Sequence, residues 1–193
     1  MNLLVLGPQG AGKGTQGKRI AADYEVPHIA TGDMFRAEIA AGTDFGRRIQ
    51  ELLAAGELVP DELTIARIRD RLLQADARGG FVLDGYPRNL AQAEALDALL
   101  AELGRGLDAI FFFDLPDEVA VARLGRRAAD ENRPDDTPEV IRRRLELYHS
   151  ETEPIVEHYR ATGKLVPLHA DRTVDAVYEE IQDALDELGV RVA

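Results

Sequence analysis

A glycine-rich segment near the start of the chain carries the residue types that bind phosphate. It spans Gly7–Gln16 and directly follows the apolar run Leu3–Leu6. Its glycines let backbone N–H groups turn inward toward an anion, and the helix expected from about Lys13 adds the positive end of its dipole. The Lys13 ammonium supplies a mobile charge for β- and γ-phosphates. A plain strand-to-helix turn with a solvated lysine is the alternative, but this lysine spacing after an apolar strand favours nucleotide binding.

The spacing of this segment matches the P-loop pattern with one departure. Gly14 stands where that pattern has Ser or Thr, and the hydroxyl comes one residue later at Thr15. A second candidate is Asp84, which follows the buried run at residues 81–83. A carboxylate at a strand end can face Mg²⁺ through water. Its alternative role is to cap the turn that follows.

Seven arginines lie between residues 123 and 144 of a chain whose formal net charge is −12. We interpret three of them as helix-surface residues with ion pairs: Arg126, Arg142 and Arg143. Three others bracket a polar segment and could converge on a phosphate: Arg127, Arg133 and Arg144.

Composition narrows the classes of protein to which the chain could belong. Its 193 residues suit one domain, and the absence of cysteine removes disulfides and thiolate chemistry. A net charge of −12 argues against a general nucleic-acid surface. No apolar run approaches the ~20 residues of a membrane span, and a strand from residue 2 leaves no room for a signal segment. We therefore expect a cytoplasmic protein with no nucleic-acid or membrane partner. We also expect it to be a monomer.

Strand and helix signals alternate along the chain. Apolar runs typical of buried parallel strands occupy residues 2–6, 81–83, 109–113 and 165–168, with a weaker fifth at Val26–Ala30. Helical patterns fill the gaps, including one long helix from Thr137 as N-cap, with Pro138 at its first position, to about Tyr159. The alternation predicts an α/β fold, with a doubly wound five-stranded parallel sheet flanked by helices and a ligand at the carboxyl ends of the strands.

Two segments do not resemble plain crossover helices. Residues 31–73 contain several helical pieces, which we expect to be broken at Gly42, Gly46, Gly56 and Pro60. A connection this long indicates an inserted helical subdomain. Residues 128–136 are polar and unpatterned, which is typical of a short mobile flap.

The motifs, in their order along the chain, resemble the adenylate kinase family, whose enzymes exchange a phosphoryl group between ATP and AMP. They are Gly7–Gln16, Thr31–Arg36, Leu58–Glu62, Asp84–Arg88 with Gln92, and Arg127 through Arg133 to Arg144. The resemblance covers essentially the whole chain. It implies reversible Mg²⁺-dependent transfer, ATP + AMP = 2 ADP. It also implies a core at 1–30, 60–126 and 137–193, an AMP-binding subdomain at 31–59 and a lid at 127–136.

The family's site residues carry over by position. The resemblance implies that ATP is bound by Gly10, Ala11, Gly12, Lys13, Gly14, Thr15, Arg123, Arg127 and Arg172. It implies an AMP site at Thr31, Arg36, Glu57, Leu58, Val59, Gly85, Tyr86, Pro87, Arg88, Gln92, Arg133 and Arg144. The catalytic cations would be Lys13, Arg88, Arg127, Arg133 and Arg144. Gln92 suits adenine because an amide donates and accepts at once, although Asn89–Gln92 also fits a helix capping box.

The resemblance further implies Mg²⁺ bound with ATP, with Asp84 facing the metal through water. A short flap without cysteines excludes a zinc-holding lid. The chain departs from the family at His169-Ala170, where an Asp-Gly or Asp-Ala pair is usual, so Arg172 is a weaker match. A cis peptide bond is implied before Pro87. Because phosphoryl transfer needs positioning and charge more than a base, we expect all four histidines to be structural or exposed: His28, His149, His158 and His169.

Two rival functions stay open from the sequence. A UMP/CMP kinase would share the fold and the short lid, although Thr31 and Gln92 favour adenine. A P-loop ATPase or GTPase would hydrolyse its nucleotide, but Asp84 is followed by Gly-Tyr-Pro-Arg rather than by a second acid that could activate water.

Overall fold

Five strands form one parallel sheet in the structure, a computed structural model that describes residues 1–130 and 137–189. The strands are β1 (Asn2–Leu6), β2 (His28–Ala30), β3 (Phe81–Asp84), β4 (Ala109–Asp114) and β5 (Leu165–His169). Their order across the sheet is β2-β3-β1-β4-β5. All four neighbouring pairs are parallel, so the carboxyl ends of the strands share one edge. The predicted fold class is confirmed, including its weak strand β2.

Helices connect the strands and cover both faces of the sheet. They are α1 (Lys13–Asp23), α2 (Thr31–Ala40), α3 (Asp44–Ala54), α4 (Asp61–Leu72), α5 (Leu90–Glu102), α6 (Asp117–Asp130), α7 (Pro138–Leu147), α8 (Pro154–Arg160) and α9 (Val174–Glu187). Thr137 caps α7 by accepting the Val140 N–H, and Pro138 stands in the first turn, as predicted. No helix within the described ranges is long and apolar enough to cross a membrane.

The core lies on both faces of the sheet because alternate strand residues point to opposite sides. Leu3 and Val5 pack on one side with α9, whereas Leu4 and Leu6 pack on the other with α5. A third, smaller cluster lies in the helical insert and contains Phe35, Ile49 and Val59. That separate cluster lets α2 and α3 pack together outside the main core.

The prediction of one long helix from Thr137 to Tyr159 is wrong in one respect, because a π-helical turn interrupts this helix. Helix α7 ends at Leu147, the turn spans Tyr148–Thr152, and α8 begins at Pro154. Proline has no N–H, and its ring clashes with the carbonyl four residues earlier, so a regular helix cannot continue through it. The turn widens instead, and the Glu153 N–H donates to the Tyr148 carbonyl oxygen at 2.8 Å.

The expected break at Gly46 is also wrong, because this residue lies in the first turn of α3. A Cβ atom there would stand 2.2 Å from the Glu38 carbonyl oxygen of α2. Glycine therefore permits the close approach of the two helices rather than ending one of them. Gly42, Gly56 and Pro60 lie outside the three helices, where breaks were predicted.

Candidate active site

A cleft of about 720 Å³ opens at the carboxyl ends of the central strands. It brings together most of the residues singled out from the sequence: Gly10–Thr15, Thr31, Arg36, Glu57–Val59, Asp84, Gly85, Pro87, Arg88, Gln92, Arg123, Arg127, Arg144 and Arg172. Tyr86 is different, since its side chain is 1% exposed and its hydroxyl donates to the Gln92 carbonyl oxygen. Arg133 and the predicted flap segment 131–136 lie outside the described residues.

The loop between β1 and α1 has the backbone of an anion cradle. Gly10 and Gly12 take φ values of 85° and 88°, a left-handed conformation that side-chain-bearing residues rarely adopt. Gly12 is also the N-cap of α1, where no side chain accepts from the first-turn N–H groups, and that turn contains no acidic residue. The positive end of α1 is therefore directed at the cleft with N–H groups available to a phosphate.

Lys13 is the cation of this cradle. Its Nζ donates to the carbonyl oxygens of Gly7 and Pro8, each at 2.7 Å. Burial lowers the pKa of its ammonium to about 8, with Asp84 opposing the shift and Arg88 and Arg127 adding to it. A bound phosphate would stabilise the charged form of this lysine.

Asp84 ends β3 beside this lysine. Burial by itself raises the pKa of its carboxyl group, but His28, Lys13 and Arg88 outweigh that effect and hold the pKa below its ordinary value. His28 Nε2 lies 3.5 Å from Asp84 Oδ2, an ion-pair distance that is long for a hydrogen bond. A carboxylate kept ionised inside a phosphate-binding cleft has the chemistry of a Mg²⁺ site. No group of three or more metal-binding side chains occurs in ranges 1–130 and 137–189.

Arg88 lies deep in the cleft. Its Nε donates to the Gly85 carbonyl oxygen at 2.8 Å, which turns the guanidinium back over the end of β3. Burial lowers the pKa of Arg88, as do the positive charges of Arg144 and Arg36, while Asp84 opposes them. Such repulsion between the buried Arg88 and its neighbouring cations is relieved by an anion, and a forked guanidinium suits a phosphate.

The turn that carries Arg88 is tightly built. The Tyr86–Pro87 peptide bond is cis, as predicted. Gly85 has φ 75°, and a Cβ atom there would stand 2.6 Å from Thr31 Oγ1. Thr31 donates to the Gly85 carbonyl oxygen at 2.9 Å, so the start of α2 is fastened to this turn.

The remaining arginines reach the cleft from several elements. Arg123 donates to the Ala170 carbonyl oxygen at 2.8 Å, and Arg144 contacts the Leu53 carbonyl oxygen at 3.4 Å. Arg36 pairs with Asp33 at 2.5 Å, and Arg172 pairs with Glu180 at 3.6 Å. Outside the cleft lining, Arg143 pairs with Glu57 at 3.0 Å, as expected for a helix-surface cation.

Arg126, which the sequence indicated to be a helix-surface residue, is exposed but also lines the cleft. Three further residues at or near the cleft were not assigned to the site from the sequence. His28 was expected to be merely structural or exposed, yet it lines the cleft beside Asp84. Asp61 accepts hydrogen bonds from Gln92 and Asn89, and Thr152 donates to the Arg88 carbonyl oxygen. His28 lies at the start of β2, and only the parallel register of β2 with β3, in which Ala30 pairs with Asp84, brings it to this part of the cleft.

A five-stranded parallel sheet, a P-loop cradle with its lysine, and a cleft rich in arginine define a P-loop phosphotransferase. The model of the family described as adenylate kinase matches residues 5–164. The chain is 46% identical over 185 residues to an adenylate kinase of Xanthomonas campestris pv. campestris (strain 8004), covering 96% of this chain and 99% of the relative. It is 46% identical over 192 residues to that of Stenotrophomonas maltophilia (strain K279a), covering 100% of this chain and 97% of the relative. The chain therefore belongs to the adenylate kinase family and is a nucleoside monophosphate kinase.

Proposed function

We propose that the cleft catalyses reversible phosphoryl transfer between Mg²⁺-ATP and AMP, with each nucleotide bound by its own set of residues. The observation that carries this assignment is the convergence of Lys13, Arg88, Arg127 and Arg144 on a cleft that also contains Asp84. Phosphoryl transfer requires two phosphate chains to be aligned and their charges balanced, and clustered cations meet that need without a dedicated base. The acceptor phosphate is itself largely ionised near neutral pH.

ATP is assigned to the P-loop side of the cleft. The backbone of Gly10–Thr15 and the Lys13 ammonium bind its phosphates, since this loop presents the open first turn of α1. Arg127 contributes charge to the transferring phosphoryl group. Arg123 and Arg172 border the region where the base would lie, on the side of Ala170.

AMP is assigned to the side formed by the helical insert and the turn after β3. Arg88, with Arg36 and Arg144 close enough to influence its pKa, binds the AMP phosphate. The adenine is assigned to the part of the cleft near Gln92 and the Glu57–Val59 backbone. Thr31, Gly85 and Pro87 line the same cleft. Tyr86 contributes through its backbone and through the contact of its hydroxyl with Gln92.

Mg²⁺ fits the residues present. The Asp84 carboxylate is kept ionised in the cleft and lies close to Gly14, where a Cβ atom would be 3.5 Å from its Oδ2. Asp84 would hold the ion through water while the nucleotide phosphates supply the other oxygen ligands. The ion would neutralise charge on the β- and γ-phosphates. No zinc is assigned to this protein.

These proposed roles divide the chain into an AMP-binding subdomain, a core and a lid. We assign residues 31–59 to an AMP-binding subdomain, supported by the small separate cluster of Phe35, Ile49 and Val59. The core comprises 1–30, 60–126 and 137–193. The lid assigned to 127–136 begins within the last turn of α6, and 131–136 lie outside the described residues. We further propose a cytoplasmic monomer that acts on ATP, AMP and ADP and not on nucleic acid, in keeping with the net charge of −12.

A coupled assay of ADP formation tests the assignment. With ATP and Mg²⁺ present, AMP should be phosphorylated far faster than UMP or CMP, and ATP alone should be hydrolysed only slowly. Preference for UMP or CMP would assign the acceptor site to a pyrimidine instead. Rapid hydrolysis without any acceptor would favour a P-loop NTPase.

A further inference from the structure

The side-chain amide of Gln92 is buried and bonded at both ends. Only 2% of the residue is exposed, although it lines the cleft. Its Oε1 accepts the Arg88 backbone N–H at 2.8 Å, and its Nε2 donates to Asp61 Oδ1 at 2.7 Å. The capping box considered from the sequence is thus only half formed. Asn89 caps α5 by accepting the Gln92 N–H at 2.9 Å, while the Gln92 side chain is used elsewhere.

The hydrogen-bonding properties of the two partners determine which side of the Gln92 amide carries Oε1 and which carries Nε2. A backbone N–H can only donate, and an ionised carboxylate can only accept. Rotating the Gln92 amide by 180° would place its NH₂ group against the Arg88 N–H and its oxygen against Asp61. Both hydrogen bonds would become repulsive contacts in a buried place.

Asp61 is itself firmly held. It begins α4, and Asn89 Nδ2 donates to its two oxygens at 2.9 and 3.1 Å. Its carboxylate therefore joins the start of α4 to the start of α5 and faces Gln92 from outside the cleft. Asp61 is not among the residues that line the cleft.

Because the Gln92 amide is fixed in orientation, the positions of its remaining hydrogen-bond donor and acceptor are also fixed. After these two bonds, Gln92 retains one lone pair on Oε1 and one proton on Nε2. That order matches the edge of a 6-aminopurine, whose N6 amino group donates and whose N1 accepts. A 6-oxopurine has the opposite order, because its O6 accepts and its N1–H donates. The latter base would require the flipped amide.

We propose that Asp61 is a specificity-determining positioning residue, which locks the Gln92 amide so that the acceptor site selects 6-aminopurine over 6-oxopurine monophosphates. The inference rests on the proposed function, because it takes Gln92 as the residue that reads the acceptor base. Asp61 acts through Gln92 and without touching the substrate. Its loss leaves only the Arg88 backbone N–H to orient the amide, so the flipped amide costs less. Binding of the correct base is then weaker, and part of the penalty against the wrong base is lost.

The test compares AMP with IMP as acceptors in wild-type protein and in Asp61→Asn, at saturating Mg²⁺-ATP. Asparagine preserves shape but can offer either an oxygen or an NH₂ group to Gln92. We expect the ratio of kcat/KM for AMP to that for IMP to fall about tenfold, with the change in KM rather than kcat and with KM for ATP unchanged. A merely structural defect would reduce activity with both acceptors and leave their ratio intact.

Two further variants complete the design. Glu62→Gln removes one negative charge from the same turn of α4 at an exposed position, so it should keep the wild-type ratio. Asp61→Glu restores a carboxylate and should recover part of the AMP preference, and it can be measured even if Asp61→Asn does not fold. An unchanged AMP:IMP ratio in folded Asp61→Asn, or in Asp61→Ala if Asn is unstable, would overturn the inference. Failure of the proposed function is distinguishable, because wild-type protein would then show no AMP preference at all.

Discussion

The Thr152 hydroxyl donates to the Arg88 carbonyl oxygen at 2.7 Å, across 64 positions of sequence. Thr152 is the last residue of the π-helical turn between α7 and α8, and Arg88 is the residue we propose to bind the acceptor phosphate. The widened turn thus brings a hydroxyl onto the backbone of a residue that lines the cleft. Together with the Arg88 N–H bond to Gln92, it holds this residue from both backbone groups.

Replacing Thr152 with Val should loosen Arg88 without altering its charge. Loss of a hydrogen bond worth about 1 kcal/mol predicts a fall of about fivefold in kcat/KM for AMP, with KM for ATP unchanged. Thr152→Ser should restore most of the loss. Ser150→Ala removes a hydroxyl from the same turn at an exposed position and is the matched control. Equal kinetics in Thr152→Val and wild type would contradict a positioning role.

Lys13→Met should reduce turnover by orders of magnitude while the protein stays folded. We expect the ammonium to stabilise charge on the transferring phosphoryl group more than it stabilises ground-state ATP, so kcat should fall further than ATP affinity. Steady-state kinetics and circular dichroism measure the two properties. Wild-type turnover in the folded variant would refute the assignment of Lys13.

ATP binding should be linked to proton uptake near pH 8.5. Burial lowers the pKa of Lys13 to about 8 in the nucleotide-free protein, so most of the population is neutral above that pH. Bound phosphate favours the ammonium and raises the pKa, so ATP affinity should weaken as pH rises through about 8. Calorimetry in two buffers of different ionisation enthalpy would measure the uptake. It should be absent in Lys13→Met, and equal uptake in that variant would assign the proton to another group.

Arg88→Ala should damage AMP use much more than ATP binding. Arg88 is expected to form forked contacts with the AMP phosphate, and losing a buried charge-assisted pair costs about 2–4 kcal/mol, or 30- to 1,000-fold in affinity. Arg88→Lys keeps the charge but not the fork, so it should rescue only partly. Arg142→Ala alters an exposed arginine and should have little effect. Unchanged AMP affinity by calorimetric titration would contradict this role.

Two glycines on helices should respond oppositely to alanine. At Gly46 the new Cβ would meet the Glu38 carbonyl oxygen at 2.2 Å, so Gly46→Ala should destabilise the fold by about 1–3 kcal/mol. At Gly125, within α6, nothing lies within 4 Å of the added Cβ. Gly125→Ala should stabilise by about 0.5–1 kcal/mol through helix propensity. Thermal unfolding of both variants measures the contrast, and a stabilised Gly46→Ala would show that α2 and α3 can separate freely.

Features that depend on spacing along the chain were predictable from the sequence. The apolar runs specified the strands, because a parallel sheet buries both faces of each strand. The Gly7–Lys13 spacing specified the phosphate cradle, since a loop and a helix start are made by consecutive residues. Thr137 and Pro138 likewise specified the start of α7. The positions of the arginines suggested only a shared phosphate site, and the family resemblance added a predicted role for each of them.

Contacts between distant segments were decided only by the tertiary structure. Asp61 and Gln92 are 31 positions apart, and Thr152 and Arg88 are 64 apart. No periodicity or capping pattern in the sequence predicts either contact. Each contact forms because of how α4, α5 and the π-helical turn pack around the sheet. The same holds for Gly46, which looks like a helix break until α2 lies against it. Motifs made of consecutive residues, such as the phosphate-binding loop, can be predicted from the sequence. The hydrogen bonds that hold the site residues in place cannot, because they depend on which distant side chains the fold brings within hydrogen-bond distance.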